Sequence, residues 1–313
     1  MSDGQEQALE LKERRRIGGA VPPEILRQVK RIELRTRGLV NSRFVGEYHS
    51  VFKGMGMEFA EVREYQPGDE VRTIDWNVSA RMRRLFVKRF VEERELTVLL
   101  LVDCSGSSRG GAGDRSKQGV PAELAAVLAL TATRNNDRVG LLLHSDRVEH
   151  VVPPRKGRRH ALRLVRDVLA WPPGARGTDL GASFDYAARL LGHRSIVFVL
   201  SDFVSGDIEK PLTRLAQRHD VVAVVLDDPA ERALPNAGVV RLVDAESGRL
   251  MEVDTSDPVV RAQYAAGIKA ETGARQALLR RLAVDEVVVP LERGYVEPLL
   301  KFFRTRETRA RRR

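Results

Sequence analysis

The chain has 313 residues, of which 42% are hydrophobic, 31% charged and 5% aromatic; 53 basic and 43 acidic side chains leave a net charge of +10. Plentiful Leu, Ile and Val exclude disorder throughout, and a single cysteine, Cys104, excludes a disulfide scaffold and fits a reducing compartment. Apolar stretches reach only about ten residues, half of the ~20 that a membrane span requires, so one or two water-soluble domains are expected.

Residues 1–21 read as a polar, charged lead-in. Lys12 to Arg16 runs into Ile-Gly-Gly-Ala-Val-Pro-Pro without an apolar core, so no secretory signal is expected and the default compartment is the cytoplasm. Residues 22–94 form the next unit. Pro22 and Pro23 open a helix to about Arg37, because Ile25, Val29 and Ile32 recur at helical spacing and proline is tolerated at a helix start; Gly38 is its expected stop. From Phe44 to Glu95 the pattern shifts to the strand period. Residues 58–65 alternate polar and apolar, Gln66-Pro67-Gly68-Asp69 signals a turn, and 85–90 reads as a further strand, giving a small β-rich block.

Residues 95–303 read as one α/β domain. The near-continuous apolar run 96–103 suits a strand covered on both faces. Helix is expected over 121–134, strand over 139–145, helices over 158–169 and 180–191, strand over 195–200, helix over 207–219 and strand over 221–226. An inserted hairpin follows near 239–254, around Glu246-Ser247-Gly248, then a long helix over 257–282, a strand over 286–291 and a helix over 296–304. This alternation predicts a doubly wound, mainly parallel sheet. Residues 304–313 are expected as a frayed basic tail. Counted by region, residues 1–94 carry 19 basic and 15 acidic side chains, 95–300 carry 27 of each, and 301–313 carry seven and one. The body is therefore neutral and the excess lies at the ends, which is not the footprint of a nucleic-acid-binding surface.

The sharpest chemical signal is Asp103-Cys104-Ser105-Gly106-Ser107, directly after a buried strand. Alternate residues of an extended segment share a side, so Asp103, Ser105 and Ser107 converge. Thr178, in Gly177-Thr178-Asp179-Leu180, and Asp202, after the strand 195–200, add donors at the carboxyl edge of the sheet, where ligands bind in such folds. Carboxylates and hydroxyls are hard oxygen donors that suit Mg2+ or Mn2+ rather than zinc. The plainer alternative is a turn whose serines cap the next helix, with Asp179 as an N-cap. Cys104 has no histidine placed beside it by the sequence and points away from Asp103 and Ser105, so a small buried residue is expected rather than a nucleophile.

This set resembles the von Willebrand factor A fold and its metal-ion-dependent adhesion site, over roughly residues 95–227. The resemblance implies that Ser105, Ser107 and Thr178 contact a divalent metal, that Asp103 and Asp202 act often through water, and that one vertex accepts an acidic residue of a partner protein. Upstream, residues 58–77, Glu-Phe-Ala-Glu-Val-Arg-Glu-Tyr-Gln-Pro-Gly-Asp-Glu-Val-Arg-Thr-Ile-Asp-Trp-Asn, are similar to the signature of the domain-of-unknown-function 58 family. Residues 243–248 and 253–255 are similar to that family too, and the whole likeness spans about 25–305. It implies a MoxR-type AAA+ ATPase as partner and a chaperone-like role in assembly or maturation of other complexes. Many members carry two N-terminal membrane helices, which this sequence lacks.

Within the upstream block, Arg63, Asp69, Arg72, Asp75 and Trp76 are either a semi-buried ion-pair network with Trp76 as its apolar anchor, or a docking surface. The basic run 155–160 with Arg163 and Arg166 is either a solvated helix face or a site for an acidic partner or nucleic acid, while 227–257 carries eight acidic and three basic residues. The expectation for the whole is a non-catalytic, metal-dependent interaction module. The alternatives are nucleic-acid binding through the basic ends and a metal-dependent phosphoester hydrolase, in which Ser105 occupies the place of a second carboxylate.

Overall fold

The computed structural model describes residues 22–40, 44–52, 57–92, 95–105, 119–172, 177–243 and 250–311. Helix α1 (Pro23–Leu39) starts at its proline and passes Gly38 by one residue. Its inward face carries Ile32, which packs with Ala122, Ala126 and Val165. A short helix α2 (Val45–Phe52) follows. The strand-like reading of 44–95 did not foresee it, although Phe44, Tyr48, Val51 and Phe52 stand at helical spacing and all four are buried.

Strands β1 (Met57–Glu64) and β2 (Phe86–Glu92) then form an antiparallel ribbon. Between them lie a 3-10 turn at Val71–Thr73 and helix α3 (Trp76–Met82). Asp75 caps α3, accepting the backbone N–H groups of Asn77 and Val78 at 3.0 and 3.1 Å. The expected β-rich block thus contains its two strands, with helical segments before and between them.

The main domain is a six-stranded sheet of β3 (Thr97–Asp103), β4 (Arg138–His144), β5 (Val148–Arg155), β6 (Ile196–Ser201), β7 (Asp220–Asp227) and β10 (Asp285–Pro290), in the order β10-β7-β6-β3-β4-β5. All neighbours are parallel except β5 against β4. The long apolar run of β3 is explained by its two covered faces. Val98, Leu100 and Val102 join one core with α2, α4 (Gly119–Arg134), α5 (Arg158–Ala170) and α9 (Val296–Arg311). Leu99 and Leu101 join another with α6 (Leu180–Leu190), α7 (Glu209–Arg218) and the end of α8 (Pro258–Arg281). This is the expected α/β class.

Two features differ from the sequence expectation, and a third agrees with it. Strand β5 was not foreseen, because Pro153 and Pro154 contradict a strand; it sits at the sheet edge, the position where proline is tolerated. It also lies close, since a Cβ on Gly140 of β4 would stand 3.0 Å from the Pro154 ring. Helix α9 continues to Arg311 rather than fraying at 304. The reason is charge pairing: Arg304 meets Glu47 at 3.0 Å, Arg306 pairs with Asp220 and with Asp285 at 3.3 Å, and Arg309 meets Asp285 at 3.0 Å. Finally, the hairpin strands β8 (Val239–Val243) and β9 (Leu250–Asp254) pair antiparallel as expected, and their turn at 244–249 lies outside the described residues.

Candidate metal centre

Strand register brings the site together. Asp103 ends β3 opposite His144 of β4, and the pairing of Val102 with Leu200 puts Ser201 of β6 on its other side. Asp103 is only 7% exposed. Its Oδ1 accepts the Ser105 backbone N–H at 2.8 Å, and its Oδ2 accepts the Ser201 hydroxyl at 2.9 Å. Ser201 Oγ in turn accepts the Phe203 N–H at 3.0 Å, which turns the chain sharply after β6; Phe203 has a left-handed φ of 61°. Ser105 is buried beside Asp103.

The other donors are held by loop-to-loop bonds. Asp179 N–H donates to the Ser145 carbonyl at 2.8 Å, which anchors the Thr178 loop to the end of β4. Its carboxylate accepts Ala182 N–H at 2.8 Å and caps α6, as the capping reading of Asp179 had it. The Ser205 hydroxyl donates to the Thr178 carbonyl at 3.0 Å and accepts Leu180 N–H at 3.3 Å, tying the loop after β6 to the same place. Asp202 is half-buried, with its Oδ1 accepting Val204 N–H at 3.0 Å. The loops carrying Asp103, Ser105, Thr178 and Asp202 are therefore bonded to one another at one sheet edge. Ser107 lies outside the described residues.

Asp103 supplies the test of fit for a cation. It is a buried carboxylate, and among the described residues no basic side chain lies within ion-pair distance of it. Burying an unpaired carboxylate is costly, and a bound cation offsets that cost. The surrounding donors are oxygen atoms, which fits a hard ion. No cluster of three His, Cys, Asp or Glu side chains occurs among the described residues.

His144 is the neighbour that sequence reasoning missed, since strand register is invisible in Leu141-Leu142-Leu143-His144. It is fully buried, and neither ring nitrogen has a hydrogen-bond partner among the described residues. Burial pushes its pKa below the ordinary histidine value, against the pull of Asp103, so it stands neutral. Ser201 and Ser205 were missed as well; the only signal was a hydroxyl immediately before Asp202 and another three residues after it. Cys104 donates its backbone N–H and its thiol to the His144 carbonyl, at 2.8 and 3.1 Å, and packs against the core as expected. Beside Asp202 a cleft of ≈ 1070 Å³ opens between residues 202–209 and α8.

The upstream residues do not form one network. Arg63 grips Asp69 with two bonds of 2.6 and 2.8 Å, and Gln66 N–H adds a third at 2.8 Å, closing the turn between β1 and the 3-10 segment. The Arg63 guanidinium holds the Asp69 carboxyl below its ordinary value. Asp75 caps α3 and pairs with Lys88 at 3.5 Å. Arg72 is exposed and takes no part, and Trp76 is 64% exposed, so it anchors no core. The basic run is largely engaged: Lys156 pairs with Glu95, Arg158 with Glu33, and Arg163 and Arg166 with the buried Asp167.

Comparison with known proteins finds relatives at the levels of family and of structure. The family described as "Protein of unknown function DUF58" matches residues 61–274. The uncharacterized protein Rv1480 of Mycobacterium tuberculosis is 30% identical over 91% of this chain and 90% of its own length. Among solved structures, the conserved hypothetical protein BatB from Bacteroides thetaiotaomicron is 16% identical at a TM-score of 0.41, covering 60% of this chain and 98% of that one. The mussel byssus proximal thread matrix protein 1, "with zinc occupied MIDAS motif", is 17% identical at a TM-score of 0.36, covering 42% and 38%. At those scores the structural likeness transfers no residue roles. Among the described residues no helix is long and apolar enough to cross a membrane.

Proposed function

Because the chain belongs to the DUF58 family, we propose that it is a non-catalytic, divalent-metal-dependent protein-interaction module. Asp103, Ser105, Ser107, Thr178 and Asp202 hold Mg2+ or Mn2+, and an open position on the ion takes a carboxylate from a partner protein. The observation that carries this reading is the buried Asp103 carboxylate, fixed by two hydrogen bonds with no cationic side chain against it among the described residues. The partner is a MoxR-type AAA+ ATPase, as the family resemblance implies, and the chain acts as its adaptor in assembling or maturing other complexes. The cleft beside Asp202 leaves room for a partner segment next to the ion.

The competing readings have less support. Nucleic-acid binding through the basic end meets Arg304, Arg306 and Arg309 already paired with Glu47, Asp220 and Asp285. A hydrolase would need a second carboxylate beside Asp103, and the neighbouring position is Ser105. The direct test uses the purified MoxR-type ATPase with Mg2+ and nucleotide held constant. The immobilised full-length chain is expected to bind it, and the Asp103→Ala chain to lose that binding. Equal binding by both chains would overturn the metal-bridged mechanism.

A further inference from the structure

Three neighbouring strands end in polar residues on one face of the sheet, and the set of donors assigned to the cation uses only the middle one. Successive side chains of a strand point to opposite faces. Leu101 of β3 pairs with Leu142 of β4 and Val199 of β6, and all three lie in the core beneath α6 and α7. Two residues further on, Asp103, His144 and Ser201 continue that face. An apolar row is thus followed by a polar one with Asp103 at its centre. Ser201, on one side, donates to Asp103 Oδ2 at 2.9 Å. His144 stands on the other side, opposite Asp103 in the strand register.

His144 is the member of this row whose bonding capacity is not used. Its ring is fully buried, and neither Nδ1 nor Nε2 has a hydrogen-bond partner among the described residues. A buried polar atom without a partner is costly, and native structures keep few of them. A leucine at this position would extend the apolar row without that cost. The backbone is fixed, because the His144 carbonyl accepts both the N–H and the thiol of Cys104. The Asp103 and Asp179 carboxylates are near enough to act on the ring electrostatically, and Asp179 belongs to the loop that carries Thr178. The ring is therefore held among the residues of the candidate centre, with one donor and one acceptor to offer when neutral.

We propose that His144 is a positioning residue of the cation centre, whose ring holds a water that links it to Asp103 and to the bound ion. The proposal rests on the reading that Asp103 binds a cation. Each Asp103 oxygen accepts one protein bond, which leaves a lone pair on each for such a water. Mg2+ prefers oxygen and keeps several of its waters, so a ring nitrogen meets it through a water. Neighbours that orient the groups around a metal in this way commonly change its affinity by ten- to a hundredfold.

The test uses the full chain, labelled with nitrogen-15 at the histidine rings and freed of metal by chelator. Mg2+ is expected to shift the ring-nitrogen signals of His144, identified as those missing from His144→Gln, and to leave them unmoved in Asp103→Asn. In calorimetric titration His144→Leu should bind Mg2+ about tenfold or more weakly. His144→Gln, which keeps a donor and an acceptor, should recover part of that loss. Metal-free His144→Leu should melt no lower than wild type, because it removes the unpartnered nitrogens; if it fails to fold, the wild-type ring signals still decide. Ring signals unmoved by Mg2+ in a chain that binds the ion, or a His144→Leu chain that binds it as tightly as wild type, would overturn the proposal. So would a nitrogen coordinated directly to bound Mn2+ in pulsed electron paramagnetic resonance. A wild-type chain that binds no divalent ion would instead overturn the metal-centre reading itself.

Discussion

Asp103 is held in place by the Ser105 N–H and the Ser201 hydroxyl, yet no positive side chain among the described residues neutralises it. Asp103→Asn keeps the shape and an acceptor while removing the buried charge. In chelator this variant should be at least as stable as wild type, by up to about 1–4 kcal/mol. Its melting temperature should no longer respond to Mg2+ or Mn2+, because only a native state that binds the ion is stabilised by it. Thermal melts with and without metal check both points. A different carboxylate, Asp137, carries a pH dependence of its own. It is buried below the sheet, accepting Tyr48 OH and Leu96 N–H, each at 2.9 Å. Burial raises its pKa to about 6, partly opposed by those bonds. The native state then keeps a proton that the unfolded chain releases near 3.8, so this group's contribution to stability falls as pH rises from about 4 to about 6. Asp137→Asn should remove that fall and stabilise the protein at neutral pH. Urea denaturation at a series of pH values measures it, and an unchanged slope between pH 4 and 6 would contradict the assignment.

At the scale of elements, the site depends on how loops are tied to strand and helix ends. Asp179 both caps α6 and donates to Ser145, so it fixes the loop that carries Thr178. Asp179→Ala keeps the backbone N–H bond to Ser145 but should cost about 1 kcal/mol as a lost N-cap, and it should weaken metal affinity only by loosening the start of α6 beside Thr178; denaturant melts and metal titration read the two effects separately. The regular elements of the central domain were legible because β3, β6 and β7 are continuous apolar runs and the helices between them keep a 3.6-residue period. Strand β5 was hidden by Pro153 and Pro154, which only an edge position permits. Helix α2 was hidden by its brevity, since Phe44, Tyr48, Val51 and Phe52 span barely two turns. The donors at Asp103, Thr178 and Asp202 were legible as residues that follow strands or open a helix. His144, Ser201 and Ser205 were not, because their place beside the site depends on register and on loop-to-loop hydrogen bonds.

Across the whole molecule, an early helix is joined to the last one. Helix α2 packs on α9, with Phe44, Tyr48 and Phe52 each 6.1–6.2 Å from Phe303 between ring centres. Arg306 lies 4.9 Å above the Phe52 ring while pairing with Asp220 and Asp285 at the amino ends of β7 and β10. Composition suggested a loose basic tail; the structure turns three of its arginines into ties across the sheet's lower edge. Arg306→Ala strands the Asp220 carboxylate, while Asp285 keeps Arg309, and should destabilise the fold by about 3 kcal/mol. A chain truncated after residue 303 should fail to fold cooperatively, as followed by circular dichroism; native stability in that chain would show the basic end to be dispensable. The sheet's upper edge, by contrast, holds the buried Asp103 carboxylate, which we propose binds a cation. Calorimetric titration of the chelator-treated chain with Mn2+ and Mg2+ tests that claim most directly. The account predicts one divalent ion bound per wild-type chain and none by Asp103→Asn. No binding by wild type, or equal binding by the variant, would contradict it.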